Sequence, residues 1–272
     1  MGSVVLDRLA TVPDVDVVAV VRDPERCRRQ DVEVRVADYA DQQAMTTALH
    51  GVQVLVFISS DGPAATMLQH HLTVLAAAAR ARVRHVIYLS IVDVQPQSPF
   101  CYAEVNRLTE LSLRDAKLPH TVVRAGMYAE FFGRWLIDAP TAGALSLPMG
   151  DGRLSLIFRA DVGACLAAVA AADPPVARAP YVLTGSRLYD LDDLAEVATG
   201  LGRGSVRPVP TTIQDFGVRL LREQTGPWWT YAITSMFASI SEHRFEPTTD
   251  DATGLIGVLR PLERVLADMS RR

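Results

Sequence analysis

Two hydroxyl-bearing residues, Ser90 and Tyr102, have the types and positions that could support chemistry on a bound ligand. Ser90 follows the apolar run His85–Leu89, and Tyr102 lies near the start of a run with helical spacing. A tyrosine hydroxyl can supply a proton to a reacting oxygen, and a serine hydroxyl can hydrogen-bond the same oxygen. Because ligands of open α/β sheets bind beyond the carboxyl ends of the strands, we expect Ser90, Tyr102 and the Gly126–Phe132 loop to face one crevice.

The elements that position these residues alternate between strand and helix. This alternation predicts an α/β fold, a doubly wound parallel sheet with helices on both faces. The predicted strands are 16–21, 32–36, 52–58, 85–89 and 120–123, and the predicted helices are 2–9, 42–49, 63–82 and 101–115.

The pattern changes after Phe132. Residues 139–152 are rich in proline and glycine and predict a long loop. Beyond it, strands at 153–158, 181–184 and 206–209 are interspersed with helices at 161–172, 191–201, 213–224, 229–241 and 262–269. We expect residues 1–185 to form the sheet domain and residues 186–272 a small substrate-binding lobe, to which 133–160 contributes.

Composition excludes several classes of protein. The 272 residues are 49% hydrophobic and 21% charged, which supports one sizeable core. A net charge of −4 without a basic stripe argues against nucleic acid as a partner. No apolar run reaches the roughly 18 residues that span a membrane, and the first residues lack a secretory signal pattern.

Cysteine and histidine usage points to a cytoplasmic protein without a metal centre. Cys27, Cys101 and Cys165 are far apart in the sequence, so we expect reduced thiols. His70 and His71 share a helix but have no third ligand nearby, so we predict no metal site.

Five stretches together resemble a known family: VVAVVRDPER, VEVRVADYAD, VLVFISS, HVIYLS and TELSLRDAKLPHTVVRAGMYAEFF. They are similar to the NmrA-like branch of the atypical short-chain dehydrogenase/reductase superfamily, and within it to bacterial quinone or azo-compound reductases. The resemblance covers residues 1–185 well and the remainder loosely. It implies a Rossmann-type sheet with a small C-terminal substrate lobe, and binding of NADP(H), with NAD(H) as the alternative. Members are reductases or dinucleotide sensors that control a partner protein.

The resemblance also implies a first strand and a glycine-rich turn, Gly-x-x-Gly-x-x-Gly, which holds the pyrophosphate at a helix N-terminus. Here only Gly2 remains, at the position that resembles the third glycine. Loss of a central strand would leave buried unpaired amides, which cost roughly 1–3 kcal/mol each. We therefore expect the natural start to lie upstream of Met1, or the chain to be shortened, and pyrophosphate binding by the chain as given to be weak.

Further cofactor contacts are implied at the strand ends. Arg22 would meet the adenosine ribose, where a guanidinium favours a 2′-phosphate; otherwise it is a solvated arginine. Asp38 and Tyr39 would touch adenine, or else form only a turn. The remaining candidate cofactor contacts, on the nicotinamide side, are Ile58, Ser59, Ser60, Ser90 and Met127.

Short-chain reductases use a Tyr-x-x-x-Lys pair with an upstream serine, and the lysine lowers the pKa of the tyrosine. Tyr102 and Ser90 match this pattern, but Asn106 stands at the lysine position. The only lysine, Lys117, is fifteen residues past Tyr102 and cannot substitute. The candidate catalytic residues are therefore Tyr102, Ser90 and Asn106. Either Tyr102 orients or hydrogen-bonds a substrate while Asn106 holds the ribose, or the site performs no proton chemistry and Tyr102 is a helix-surface residue.

Other residues near this region have alternative roles. Glu110 lies two helical turns after Tyr102, and we expect it to form an ion pair with an arginine. Four aromatic residues are candidates for substrate binding, although aromatic side chains at such spacing also pack cores: Tyr128, Phe131, Phe132 and Trp229.

Three functions fit these observations. The first is NADP(H)-dependent reduction of a small, flat, apolar acceptor such as a quinone, by a monomer or homodimer. The second is a non-catalytic dinucleotide sensor whose lobe binds a protein. The third is a tailoring reductase of a biosynthetic pathway, or a dehydratase- or isomerase-like relative that acts on a hydroxylated aromatic compound.

Overall fold

The structure is a computed structural model that describes residues 1–27, 29, 31–172, 180–202 and 204–271. Its helices are α1 (Gly2–Leu9), α2 (Gln42–Ala48), α3 (Ala64–Arg80), α4 (Ala103–Asp115), α5 (Ala129–Ala142), α6 (Arg159–Ala171), α7 (Leu191–Gly200), α8 (Ile213–Arg222), α9 (Pro227–Ser241), α10 (Asp251–Ile256) and α11 (Leu262–Met269). Its strands are β1 (Val18–Val21), β2 (Glu33–Val36), β3 (Val54–Ile58), β4 (His85–Ile91), β5 (His120–Ala125), β6 (Met127–Tyr128), β7 (Ala144–Leu145), β8 (Leu154–Ile157), β9 (Tyr181–Leu183), β10 (Leu188–Tyr189) and β11 (Arg207–Pro208).

The chain forms two compact units, each assembled from three segments. The first unit contains Met1–Ser90, Val105–Arg124 and Val162–Tyr181, and the second contains Ile91–Glu104, Ala125–Asp161 and Val182–Arg272. Each unit has its own buried hydrophobic cluster.

The first unit is built on parallel strands. β1 pairs with β2 in parallel, and β3 pairs with β4 in parallel within a sheet ordered β3-β4-β5-β9. β4 is buried over all but its last residue, as its largely apolar sequence predicts. Helix α3 covers this sheet with Val74, Leu75 and Ala78, which pack in one cluster with Phe57 and Tyr88. The predicted α/β fold with a parallel sheet is therefore confirmed.

Two strands of the first unit have an open edge. β1 and β2 form a separate two-stranded sheet, and β3 is the terminal strand of the other sheet. Within the described ranges, neither β1 nor β3 pairs with a strand on its second side. Four of the five residues of β3 are only half-buried, although the sequence VLVFI is entirely apolar. Among the described residues, the second edges of β1 and β3 therefore carry no paired strand.

The second unit is organised around α5. Its side chains Phe132 and Leu136 are fully buried and lie in one cluster with Phe216 of α8 and Phe237 of α9. Two small sheets accompany these helices, ordered β10-β8-β6 and β11-β7.

The prediction of loops at 126–132 and 139–152 was wrong where α5 lies. Pro140 is inside the helix, but it falls in the last turn, where a missing N–H interrupts only one backbone hydrogen bond. Gly143 then ends the helix in the left-handed conformation, with φ of 65°. The glycine and proline signals that favoured a loop therefore mark the end of this helix instead. The short helix α10 was also missed.

Candidate functional site

The ends of β1 and β2 carry the residues predicted to contact the adenosine. Arg22 follows β1, is exposed, and makes no ion pair with any described carboxylate. Tyr39 follows β2, and its hydroxyl donates to the carbonyl oxygen of Ile58 at 3.2 Å. Burial raises the pKa of Tyr39 to about 12, and the charge of Arg22 opposes this shift, which places the guanidinium near the phenol. Asp38 is exposed, and its carboxylate accepts from the backbone N–H of Ala40, so it forms a turn.

The N-terminus of α1 lies beside the carboxyl end of β3. A Cβ built on Gly2 would be 3.7 Å from Cδ1 of Ile58, an ordinary contact. Met1 provides no side-chain cap, and the backbone N–H groups of Val4 and Val5 donate to its carbonyl oxygen at 2.8 and 3.2 Å. The N-terminus of a helix attracts anions through its first N–H groups and its dipole.

Ser59, Tyr88 and Asn106 form a buried cluster of hydrogen bonds. The hydroxyl of Tyr88 donates to Oδ1 of Asn106 at 2.7 Å, and both residues are at most 2% exposed. The hydroxyl of Ser59 donates to the carbonyl oxygen of Leu89 at 3.0 Å and lies 3.2 Å from the Tyr88 hydroxyl. Burial raises the pKa of Tyr88 above its usual range, so this phenol stays protonated. The cluster thus joins α4 to the ends of β3 and β4.

His71 extends the cluster to the next residue of the β3 end. The backbone N–H of Ser60 donates to Nε2 of His71 at 3.3 Å, and the other ring nitrogen, Nδ1, lies 2.8 Å from Oγ1 of Thr109. Because Nε2 accepts, Nδ1 must carry the ring hydrogen and donate to Thr109, whose own hydroxyl donates to the carbonyl oxygen of Val105. Burial lowers the pKa of His71 to about 4, so the ring is neutral at physiological pH.

The predicted serine, Ser90, is engaged with a buried carboxylate. Its hydroxyl donates to Oε1 of Glu110 at 2.7 Å, and Ser90 is only 1% exposed. Glu110 also receives two hydrogen bonds from Arg124, Nε at 3.0 Å and Nη2 at 2.6 Å. The prediction that Glu110 pairs with an arginine is confirmed. Since the single hydrogen of the Ser90 hydroxyl points to Glu110, this group can only accept a hydrogen bond from a ligand.

Tyr102 belongs to the second unit and lies one residue before α4, where the sequence predicted a helical position. Its ring packs edge-to-face against Phe100 at 5.4 Å between centroids, and against Trp228 at 6.3 Å. Phe100 in turn contacts Phe245 at 5.8 Å. Tyr102 is therefore held by aromatic rings of the same unit rather than lying on a helix surface.

The predicted substrate-binding residues are all in the second unit, with different exposures. Tyr128 is half-buried under the guanidinium of Arg159, which lies 5.1 Å from the ring centroid, and burial raises the pKa of Tyr128 to about 12. Phe131 is also half-buried, whereas Phe132 is completely buried and packs as a core residue. Trp229 is 45% exposed, and the neighbouring Trp228 makes the ring contact with Tyr102.

Met127, the predicted contact on the nicotinamide side, is 9% exposed and lies in β6. Gly126 precedes it at a close approach, because an added Cβ would be 3.4 Å from the carbonyl oxygens of Leu183 and Ser155. Its own N–H donates to the carbonyl oxygen of Leu183 at 2.8 Å. The backbone around Met127 is therefore fixed.

Sequence reasoning missed the roles of Tyr88, His71 and Thr109. Tyr88 lies within an apolar strand, and His71 and Thr109 lie on different helices, so no local spacing connects them. One signal was available in the sequence: Tyr88 and His71 carry polar atoms at positions predicted to be buried. A buried phenol or imidazole requires hydrogen-bond partners.

Two features are absent from the part of the chain that the structure describes. Among the residues that the structure describes, no group of three or more His, Cys, Asp or Glu side chains is arranged to hold a metal ion. Across the same residues, no helix has the length and apolar character needed to cross a membrane.

Comparison with known proteins identifies the family. Residues 1–173 match the family model described as NAD(P)H-binding. The chain belongs to this family. Quinone oxidoreductase 2 of Escherichia coli K12 is 34% identical over 206 residues, which are 73% of this chain and 70% of that protein. An NmrA-like family domain-containing oxidoreductase of Aspergillus flavus is 30% identical over 167 residues, 58% of this chain and 54% of its own length. The resemblance to NmrA-like proteins is thereby confirmed.

A solved structure of this NAD(P)H-binding family supports the same assignment. The NADPH-dependent quinone oxidoreductase of E. coli, crystallised with NADPH, superimposes with a TM-score of 0.90 and 27% identity, covering 98% of this chain and 95% of that chain. The chain is thus an NmrA-like, NAD(P)-binding protein with a Rossmann-type sheet.

Proposed function

We propose that this protein is an NADPH-dependent reductase of small, flat acceptors of the quinone type, and that it works without a tyrosine–lysine pair. The observation that carries the proposal is Asn106, which is 2% exposed and accepts a hydrogen bond from Tyr88 at the position that resembles the family lysine. The E. coli relative, an NADPH-dependent quinone oxidoreductase, supports the choice of cofactor and acceptor.

The residues of the first unit fit a dinucleotide phosphate. The N-terminus of α1, which has no side-chain cap from Met1, would present backbone N–H groups to a pyrophosphate, and Gly2 leaves room for it beside Ile58. Arg22 has no described carboxylate partner, so its guanidinium is available for a 2′-phosphate, which favours NADP(H) over NAD(H). The hydroxyl oxygen of Ser60 is buried and has no hydrogen-bond partner among the described residues, which favours a polar ligand group at the β3 end.

When bound, NADPH supplies a hydride. A ketone that receives hydride becomes a strongly basic alkoxide and needs a positioned acid, whereas a reduced quinone oxygen is stabilised by its aromatic ring and takes a proton from water. The chain has no lysine near Tyr102 to lower the pKa of that phenol. An acceptor that needs no protein acid therefore suits these residues best.

Each candidate residue then has a specific role in the proposal. Asn106 holds the nicotinamide-side ribose, and Ser90 fixes Glu110 and Arg124 rather than donating to the acceptor. Tyr102 supplies an aromatic contact or a hydrogen bond to the acceptor. Tyr128, Phe131 and Trp229 remain proposed acceptor contacts, while Phe132 has no exposed surface to offer.

The test is NADPH oxidation, followed by absorbance, with a panel of benzoquinones and naphthoquinones and a matched panel of aliphatic and aromatic ketones. The proposal predicts turnover with quinones and none with simple ketones. Turnover with ketones at comparable rates would show that a protein acid is present and would contradict it. Tight NADPH binding with no turnover of any acceptor would favour a dinucleotide sensor instead.

A further inference from the structure

We propose that Asp93 and Ser239 are positioning residues that hold the segment 93–102 against α9 and thereby place the ring of Tyr102 for contact with the acceptor. The inference rests on the proposed function, in which Tyr102 contacts the acceptor. It deepens that function because it names α9, rather than α4, as the element that sets the position of this ring.

Asp93 is a completely buried residue with no role in the proposed reaction so far. It is 0% exposed and lies two residues after the end of β4. Its Oδ2 accepts from the hydroxyl of Ser239 on α9 and from that of Ser98 at 2.5 Å, and its Oδ1 accepts from the backbone N–H of Gln95 at 3.5 Å. Because a buried carboxyl group is costly without donors, loss of the Ser239 hydroxyl should loosen this end of the segment.

Further hydrogen bonds continue along the segment to the residue before Tyr102. The backbone N–H of Phe100 donates to Oγ of Ser98 at 3.0 Å, which is the same hydroxyl that donates to the buried carboxyl group. The backbone N–H of Cys101 donates to Oγ of Ser235, a second serine of α9, at 3.2 Å. The backbone that leads into Tyr102 is therefore fixed at two successive residues.

One face of α9 makes all of the contacts with this segment. Trp228, Ser235 and Ser239 are seven and four residues apart, so at about 100° per residue they lie within about 40° of one another around the helix. The ring of Trp228 packs against that of Tyr102, with 6.3 Å between centroids. The segment and α9 both belong to the second unit, whereas α4 begins only at Ala103. This face of α9 thus supports the segment at Asp93, before Tyr102 and at the Tyr102 ring.

The same helix provides a matched control. The hydroxyl of Ser241 donates to the carbonyl oxygen of Ala238 at 2.9 Å, so its hydrogen bond stays within α9. Ser241 is two residues beyond Ser239 and therefore about 200° around the helix, away from the face that contacts the segment. Ser241→Ala removes a serine hydroxyl from α9, as Ser239→Ala does, but no bond to the segment.

The experiment measures KM and kcat for a benzoquinone at saturating NADPH, and the dissociation constant for NADPH by fluorescence titration. Ser239→Ala is expected to raise the KM for the quinone about three- to tenfold, the scale of one buried hydrogen bond. The dissociation constant for NADPH should be unchanged, because its proposed contacts lie in the first unit. Ser241→Ala should change none of these values.

A conservative variant distinguishes hydrogen bonding from packing at Asp93. The amide of Asp93→Asn keeps an oxygen that can accept from the hydroxyls of Ser98 and Ser239, whereas Asp93→Ala removes both bonds. We expect the KM of Asp93→Asn to lie much nearer that of the unaltered protein. Ser239→Ala removes only one hydroxyl, so it tests the inference even where Asp93→Ala fails to fold.

A double variant tests whether Ser239 acts through Tyr102. On the Tyr102→Ala background, Ser239→Ala should cause no further rise in the KM for the quinone, since the ring that it positions is gone. Thermal melts of every variant, with Ser241→Ala as the reference, measure the effect of each change on folding.

An unchanged KM in Ser239→Ala would overturn the inference, as would an equal rise in Ser241→Ala. Independent, multiplicative effects of Ser239→Ala and Tyr102→Ala on KM would also overturn it, because Ser239 would then act elsewhere. Absence of quinone turnover in the unaltered protein would overturn the proposed function and this inference together, whereas turnover with an unchanged KM in Ser239→Ala would overturn this inference alone.

Discussion

Glu110 and Arg124 form a two-point ion pair in which both carboxylate oxygens are engaged, one by Nε at 3.0 Å and the other by Nη2 at 2.6 Å. The carboxylate is 10% exposed and the guanidinium 29% exposed, so the pair is partly shielded from water. Ser90 completes the arrangement by donating to the same carboxylate. This pair connects α4 to β5 inside the first unit.

The first prediction concerns the stability of this pair. Glu110→Gln removes the charge and leaves Arg124 without its partner, and we expect the free energy of unfolding to fall by about 2–4 kcal/mol, because a shielded charge is left unpaired. Urea denaturation measures this change. Arg134→Gln is the matched control, since Arg134 and Glu223 pair at the exposed surface, where such a pair contributes little. Equal losses in the two variants would contradict the assignment of a shielded pair.

The second prediction concerns cofactor choice. Arg22→Gln should weaken NADPH binding by about 10- to 100-fold, since a charge-assisted contact with the 2′-phosphate is lost, and should leave NADH binding unchanged. Titrating one variant with both dinucleotides provides an internal control for folding. An equal loss for NADPH and NADH would show that Arg22 does not recognise the 2′-phosphate.

The third prediction concerns pH. The pKa of His71 is lowered from 6.5 to about 4 by burial, so the unfolded chain binds more protons than the folded one between these values. The stability is complete above pH 6.5 and should fall by up to about 3 kcal/mol as the pH drops toward 4. Burial also lowers the pKa of His85, with the same sign.

The pH test compares unfolding midpoints of the unaltered protein and His71→Phe between pH 4 and pH 8. The phenylalanine keeps an aromatic ring beside Phe57 and Tyr88 but cannot titrate. We expect the difference in stability between the two proteins to shrink as the pH falls. A difference that stays constant across this range would show that His71 has a normal pKa in the folded state.

The fourth prediction concerns the open strand edges. Amides of β3 that do not bond to β4 face its second edge, so they should exchange with solvent at least about tenfold faster than amides within β4, which has strands on both sides. Hydrogen exchange resolved by residue measures this contrast. Equal protection of β3 and β4 would mean that a further segment covers the edge of β3.

Much of the fold could be predicted from the sequence because its signals are local. The apolar runs of β3, β4 and β5, and the helical spacing of α3 and α4, led to elements whose ends differ from the structure by a few residues. α5 was missed because Pro140 and Gly143 favour a loop locally. In the structure the helix packs closely through Gly133, where a Cβ would be 2.5 Å from Cε of Met269. This contact joins residues that are far apart in the sequence, so local sequence signals did not predict it.

The candidate site was predicted only in part, because only some of its contacts follow from local sequence. The position of Glu110 on a predicted helix led to the prediction that it pairs with an arginine, and the ion pair with Arg124 confirms this prediction. The hydrogen bond from Tyr88 to Asn106 joins residues 18 positions apart on a strand and a helix, and only the folded chain brings them together. The engagement of Ser90 by Glu110 is likewise a tertiary contact, and it changes what the serine can donate.

The most direct test of the account is the turnover number of Tyr102→Phe for NADPH-dependent quinone reduction, measured beside its NADPH dissociation constant. If no protein acid is required, kcat should fall less than about tenfold and NADPH binding should be unchanged. A fall of about 10²- to 10⁴-fold in kcat with normal NADPH binding is the signature of general acid catalysis, and it would contradict the central claim.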